Sequence, residues 1–153
     1  NQRRLQQELE ILLRTAMSQG HQLALLAVNI DHFREFNTRH GHGLGDEVLA
    51  ALAERLELEL REGDLLARHA GDTFMAILPG VGHVPSLEIA SRLRRAVMAR
   101  PFPLSDGTLA NLTVSIGAAT YPESGSTATE LVRLAIQAVT TAKRSGRNSV
   151  ASA

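Results

Sequence analysis

The segment Leu23 to Ile30 is a nearly continuous apolar run that gives way to polar residues at Asn29 and Asp31. It is too short for a buried helix of ordinary length, and a strand apolar at consecutive positions has to be covered on both faces. The flanking sequence offers the cover. Leu5, Leu9, Leu12, Leu13, Ala16 and Met17 recur at helical spacing among Arg, Gln and Glu, and this amphipathic pattern ends near Gly20. A short helix is predicted over His32 to Arg39, then a glycine-rich turn over His40 to Gly45. A longer helix follows over Asp46 to Leu60, with Asp46 capping its N-terminus. Leu65 to Arg68 and Phe74 to Leu78 read as strands around a tight turn, a β-hairpin signal. Pro85 to Met98 repeats the helical pattern, Leu112 to Ala119 reads as a strand, Thr127 to Lys143 as the last helix and Asn148 to Val150 as a short edge strand. Pro79 to Gly82 and Pro101 to Gly107 read as ordinary connections. The order predicts an α+β fold, a mostly antiparallel or mixed sheet surrounded by helices.

Composition narrows the function classes. With 153 residues, 44% of them apolar, the chain suits one domain over 1–153. It starts at Asn1 and runs at once into a helical pattern, so it reads as a domain excised from a longer protein. No stretch reaches the roughly 18 apolar residues of a membrane span, and the start lacks a secretion-signal layout. The absence of cysteine excludes disulfides and thiolate metal sites, in keeping with a cytoplasmic location, in a parent free to be membrane-attached. A formal net charge of zero argues against a nucleic-acid surface. Clusters at Arg92, Arg94 and Arg95 and at Lys143, Arg144 and Arg147 leave room for a small phosphate ligand. His32, His40 and His42 have no zinc-site spacing.

Four ordered motifs carry more. Asn29-Ile30-Asp31-His32-Phe33-Arg34-Glu35-Phe36-Asn37, followed by Gly41-His42 and Gly45-Asp46, aligns in register with D-x-D-x-F-K-x-x-N-D-x-x-G-H-x-x-G-D. Arg68-His69-Ala70-Gly71-Asp72-Thr73-Phe74 aligns with R-Y-G-G-[DE]-E-F, Thr113 to Gly117 with T-x-S-x-G, and Ala142 to Asn148 with A-K-x-x-G-R-N. Together they make the chain resemble a GGDEF domain of the diguanylate cyclase type, and the resemblance covers essentially its whole length. It implies a nucleotidyl-cyclase-like, palm-like sheet with helices around it.

Members of that family condense two GTP molecules, one on each of two facing domains, into cyclic di-GMP by attack of a ribose 3′-hydroxyl on an α-phosphorus. Divalent cations neutralise the phosphates and lower the pKa of the attacking hydroxyl. Mg²⁺ takes hard oxygen ligands, in the family the first Asp of D-x-D, the next backbone carbonyl and the acidic pair of the hairpin. Here Asn29 and Thr73 replace two of those carboxylates, while Asp72 and the carbonyl of Ile30 remain. Neither replacement carries charge or holds a proton as a carboxylate does, and one such loss lowers a rate by roughly 10²-fold or more. The resemblance therefore implies a degenerate domain with Mg²⁺ weakly held or absent. Ala70, Thr38, Ile136 and Thr140 also depart from the family pattern.

The binding residues are better kept. By resemblance, Asn37 and Asp46 read the guanine edge, Lys143 and Arg147 grip the triphosphate, and Phe33 belongs to the same GTP site. Arg61-Glu62-Gly63-Asp64 places an R-x-x-D where the family binds its product as an inhibitor, and Arg92 stands where a second arginine completes that site. An arginine fork pairs with O6 and N7 of guanine, and a carboxylate accepts from its N–H groups. Each feature has a plainer alternative: Asp46 as a helix cap, Lys143 and Arg147 as a solvated helix end, Arg61 and Asp64 as a surface ion pair. Three functions stay open. One is a regulatory domain binding cyclic di-GMP or GTP without turnover. The second is a weak diguanylate cyclase. The last is a structural module that forms a homodimer or packs beside a phosphodiesterase domain of the EAL type.

Overall fold

A computed structural model describes residues 2–153. The apolar run is β1 (Leu23–Ile30), buried along its whole length at the centre of a five-stranded sheet. It follows α1 (Gln2–Gln19) and leads into α2 (Phe33–His40) and α3 (His42–Glu57). The hairpin of β2 (Leu65–Ala70) and β3 (Thr73–Pro79) follows, then α4 (His83–Met98). The short strands β4 (Phe102–Pro103) and β5 (Leu109–Ala110) pair apart from the main sheet. Next come β6 (Val114–Tyr121), α5 (Ala128–Arg144) and β7 (Val150–Ser152). The strand order is β2-β3-β1-β6-β7, antiparallel except for the β6–β7 pair.

Alternation along β1 separates two cores, because successive side chains of a strand point to opposite faces. Ala24, Leu26, Val28 and Ile30 pack with Leu52 and Leu56 of α3 and Leu93 and Val97 of α4. Leu23, Leu25 and Ala27 pack with Leu9 and Leu13 of α1 and Leu131 and Ala135 of α5. The covered strand inferred from its composition is thus the seam between two helical layers. Truncating a fully buried leucine in either layer costs about 2–5 kcal/mol. Gly117 belongs to the close approach of α5 on β6, since a Cβ there would collide with the Ala135 carbonyl and lie 2.5 Å from the Val139 nitrogen.

Several boundaries differ from expectation. The helix predicted from Asp46 begins four residues earlier, at His42, and Gly41 at φ 89° supplies the whole break between α2 and α3. Asp46 lies inside α3 and is not its cap. Glycine signals alone overstate the turn, because Gly45 is needed inside the helix: a Cβ there would collide with Asn37 Oδ1. The segment read as a plain connection between Pro101 and Gly107 includes β4 and leads to β5. Glu47 holds it by accepting from the Ser105 N–H at 2.9 Å and the Ser105 hydroxyl at 2.5 Å. The last strand starts at Val150 rather than Asn148, because Arg147 and Asn148 take left-handed conformations at φ 64° and 44°. The strand predicted from Leu112 runs two residues later, from Val114 to Tyr121.

Candidate functional site

The end of β1 brings the altered positions together. Asn29 lies directly opposite Thr73 on β3 and opposite Ser115 on β6. Asn29 Nδ2 donates to Thr73 Oγ1 at 2.9 Å, and lies 3.4 Å from the Asp72 carbonyl oxygen. The same carbonyl accepts from the Ile30 N–H at 3.2 Å. Since a carbonyl only accepts, the amide presents its NH₂ to the hairpin. Asp72 itself is half-buried in the turn.

Two residues on, Asp31 is almost fully buried and has four donors. They are the hydroxyls of Thr113 at 2.6 Å and Ser115 at 2.7 Å, the Asn148 N–H at 2.9 Å and Lys143 Nζ at 3.3 Å. Burial pushes this carboxyl up, but the two hydroxyls, the Asn148 amide and the Lys143 charge outweigh it and hold Asp31 below the ordinary carboxylate range. The expected triphosphate residue Lys143 therefore pairs with a carboxylate of its own chain, while Arg147 is exposed past the end of α5. Asp31 is the residue that sequence reasoning missed. A signal existed: Thr113 and Ser115 alternate onto one face of the T-x-S-x-G strand, and D-x-D supplies a second acid for them.

A cleft of about 440 Å³ is lined by Phe33, Arg34, Asn37, Thr38, His42, Gly71 and Asp72. Asn37 Oδ1 is buried without a hydrogen-bond partner among the described residues. Asp46, expected to share a guanine with Asn37, lines a separate groove of about 320 Å³ with Leu49, Arg68 and Phe74. The structure thus joins Phe33 and Asn37 in one cleft, and Asp46 does not line it.

At the far end of the hairpin, Arg61 and Asp64 form a closed unit. Arg61 Nη2 donates to Asp64 Oδ1 at 2.9 Å and to the Pro79 carbonyl at 2.9 Å, and the Arg61 N–H reaches Asp64 Oδ2 at 2.9 Å. The Asp64 side chain is 2% exposed and the Arg61 side chain 56%. Arg92 of α4 donates to the Glu59 carbonyl at 2.6 Å and pairs with its carboxylate at 3.6 Å. Both guanidiniums are thereby tied to the segment joining α3 to β2. His69, at the bulge of β2, keeps Nδ1 buried without a partner among the described residues, and burial pushes its pKa down. His32, His40 and His42 join no cluster of three or more His, Cys, Asp or Glu that could hold a metal ion among the described residues.

The family described as diguanylate cyclase, GGDEF domain, matches residues 1–149. The chain is a GGDEF domain. The response regulator PleD of Caulobacter vibrioides is 36% identical over 151 residues, 98% of this chain and 33% of PleD. The diguanylate cyclase TpbB of Pseudomonas aeruginosa is 41% identical over 138 residues, 90% of this chain and 32% of TpbB. This GGDEF domain thus spans about a third of those relatives. The solved GGDEF domain of TpbB superposes with a TM-score of 0.93 at 38% identity, covering 97% of this chain and 92% of that one. The GGDEF domain of DgcB from Caulobacter crescentus, solved in complex with c-di-GMP, superposes with a TM-score of 0.91 at 27% identity, covering 99% and 90%. These relations put the domain in cyclic di-GMP signalling and bear out the expected α+β fold. Among the described residues no helix is long and apolar enough to cross a membrane.

Proposed function

We propose that this GGDEF domain is a regulatory module that binds a guanine nucleotide without appreciable cyclase turnover. Its sites are Arg61, Asp64 and Arg92 for cyclic di-GMP, and the cleft of Phe33 and Asn37 for GTP, with Asp46, Lys143 and Arg147 as outlying contacts. The observation that carries the reading is the carboxylate count at the end of β1. Of the three acidic positions the family uses for metal, only Asp72 bears a carboxylate, and no group of three metal-ligating acids or histidines forms among the described residues. Attack of a 3′-hydroxyl on an α-phosphorus leans on cations and on a proton acceptor, and each lost group lowers the rate by roughly 10²-fold or more. The product-site residues are intact by contrast. The Arg61 side chain is 56% exposed, which leaves its plane open to stacking on a base and Nη1 to donate to guanine while Nε and Nη2 hold Asp64 and the Pro79 carbonyl, and Arg92 stands at the same segment.

Titration calorimetry with cyclic di-GMP and with GTP tests this reading. Heat with cyclic di-GMP that Arg61→Ala abolishes is the expected result, and no heat with either ligand sinks it. A weakly active cyclase is the second reading, favoured by Asp72 at the cleft and by the 41% identity to a diguanylate cyclase. It predicts product from GTP with Mg²⁺ or Mn²⁺ in the dimerised full-length protein, abolished by Asp72→Ala. Absence of product at high enzyme concentration rejects it.

A further inference from the structure

The divalent cation that the family implies does not fit the residues at the end of β1. A hard cation there needs converging oxygens, and facing carboxylates need it in return, because two adjacent negative charges are otherwise unneutralised. In this chain the facing pair is an amide and a hydroxyl, and the group aimed across the strands is the Asn29 NH₂, a donor that cannot ligate. A hydrogen bond already ties the pair together: Asn29 Nδ2 meets Thr73 Oγ1 at 2.9 Å while the Asp72 carbonyl accepts from the Ile30 N–H. A hydrogen bond therefore links β1 to the hairpin where a cation would link two acids.

The cleft beside it has matching electrostatics. Its charged lining consists of Arg34 and Asp72, which offset each other, and Lys143 is engaged by Asp31 at 3.3 Å. Without a cation, each added phosphate brings negative charge toward Asp72, and among the described lining residues Arg34 alone answers it. Asn37 lines the same cleft and offers a guanine a neutral amide, with Oδ1 itself packed against Gly45. We infer that the Asn29–Thr73 hydrogen bond makes the cleft independent of divalent cations, and that the cleft selects guanine ligands of low phosphate charge over triphosphates. The inference deepens the proposed function and shares its cleft, but one of its two tests needs no nucleotide.

The first test follows thermal unfolding of the domain as Mg²⁺ is added alone. The midpoint of the natural chain stays unmoved. The double variant Asn29→Asp/Thr73→Glu starts lower and rises with Mg²⁺, because the facing acids then need a cation. A midpoint of the natural chain that rises with Mg²⁺ overturns the inference. The second test, on the natural chain and so independent of whether the variant folds, is calorimetry with GMP and with GTP, in Mg²⁺ and in EDTA. GMP binding equal in both media and at least as tight as GTP is the expected result. A GTP affinity that Mg²⁺ tightens by about tenfold or more overturns it. If neither nucleotide binds, the cleft ligand is overturned, whereas the cyclic di-GMP reading stands or falls separately on Arg61→Ala.

Discussion

Asn29 and Asp31 are two residues apart at the same strand end, yet their surroundings are opposite in character. Asp31 faces four donors from β6 and the residue just before it, α5 and the turn at Asn148, all supplied by the chain itself. Asn29 faces acceptors, a hydroxyl oxygen and a backbone carbonyl. A buried carboxylate is stable only where donors converge on it, and an amide suits a place where acceptors converge. The negative charge is thus kept where the fold neutralises it and gone where only an outside cation would.

The sharpest way to break this comparison is to remove the kept charge. Asp31→Ala strands Lys143 and two hydroxyls and should destabilise the domain by about 3 kcal/mol, read from urea unfolding. A loss near that of an exposed acid would show that the donors do not act together. Acid is the next lever. Asp31 has its folded pKa below the ordinary 3.8, so its stabilisation is present above that pH and disappears as pH falls through the folded value. The unfolding midpoint should drop more steeply below pH 3.8 in the natural chain than in Asp31→Asn; equal slopes would contradict the assignment.

On the other side of the comparison the stakes are smaller. Asn29→Ala and Thr73→Val should each cost about 1 kcal/mol, one neutral hydrogen bond apiece. Their double mutant should cost less than the sum, by about 0.5 kcal/mol or more, because both remove the same bond. Full additivity would show that the pair is not coupled. The smallest effect belongs to Arg92→Ala, which breaks a largely solvated pair with Glu59. Thermal unfolding should register less than about 1 kcal/mol, while the heat of cyclic di-GMP binding falls.

Much of this was legible in sequence. The unbroken apolar run of β1 demanded two covering layers, and the 3.6-residue spacing of Leu5, Leu9 and Leu13 supplied one of them. The motif register placed Asn29 and Thr73 at one site, and they are hydrogen-bonded partners. The start of α3 was misread because Gly43 and Gly45 look like a turn, while the packing of Asn37 against Gly45 is a tertiary fact. The short β4–β5 pair escaped because two-residue strands carry no periodic signal, and its tie to Glu47 spans distant parts of the chain.

The sequence by itself determined the family, the order of the main elements and the loss of two carboxylates, since these follow from residue identity and short-range periodicity. Only the tertiary structure decided what replaced the lost charge. Which atom of the Asn29 amide faces the hairpin depends on the Asp72 carbonyl brought alongside it by strand pairing. That Lys143 is paired with Asp31 depends on α5 packing across β6 and β1. Such long-range donor and acceptor meetings leave no local pattern in the chain, and they fix which charges remain free for a ligand.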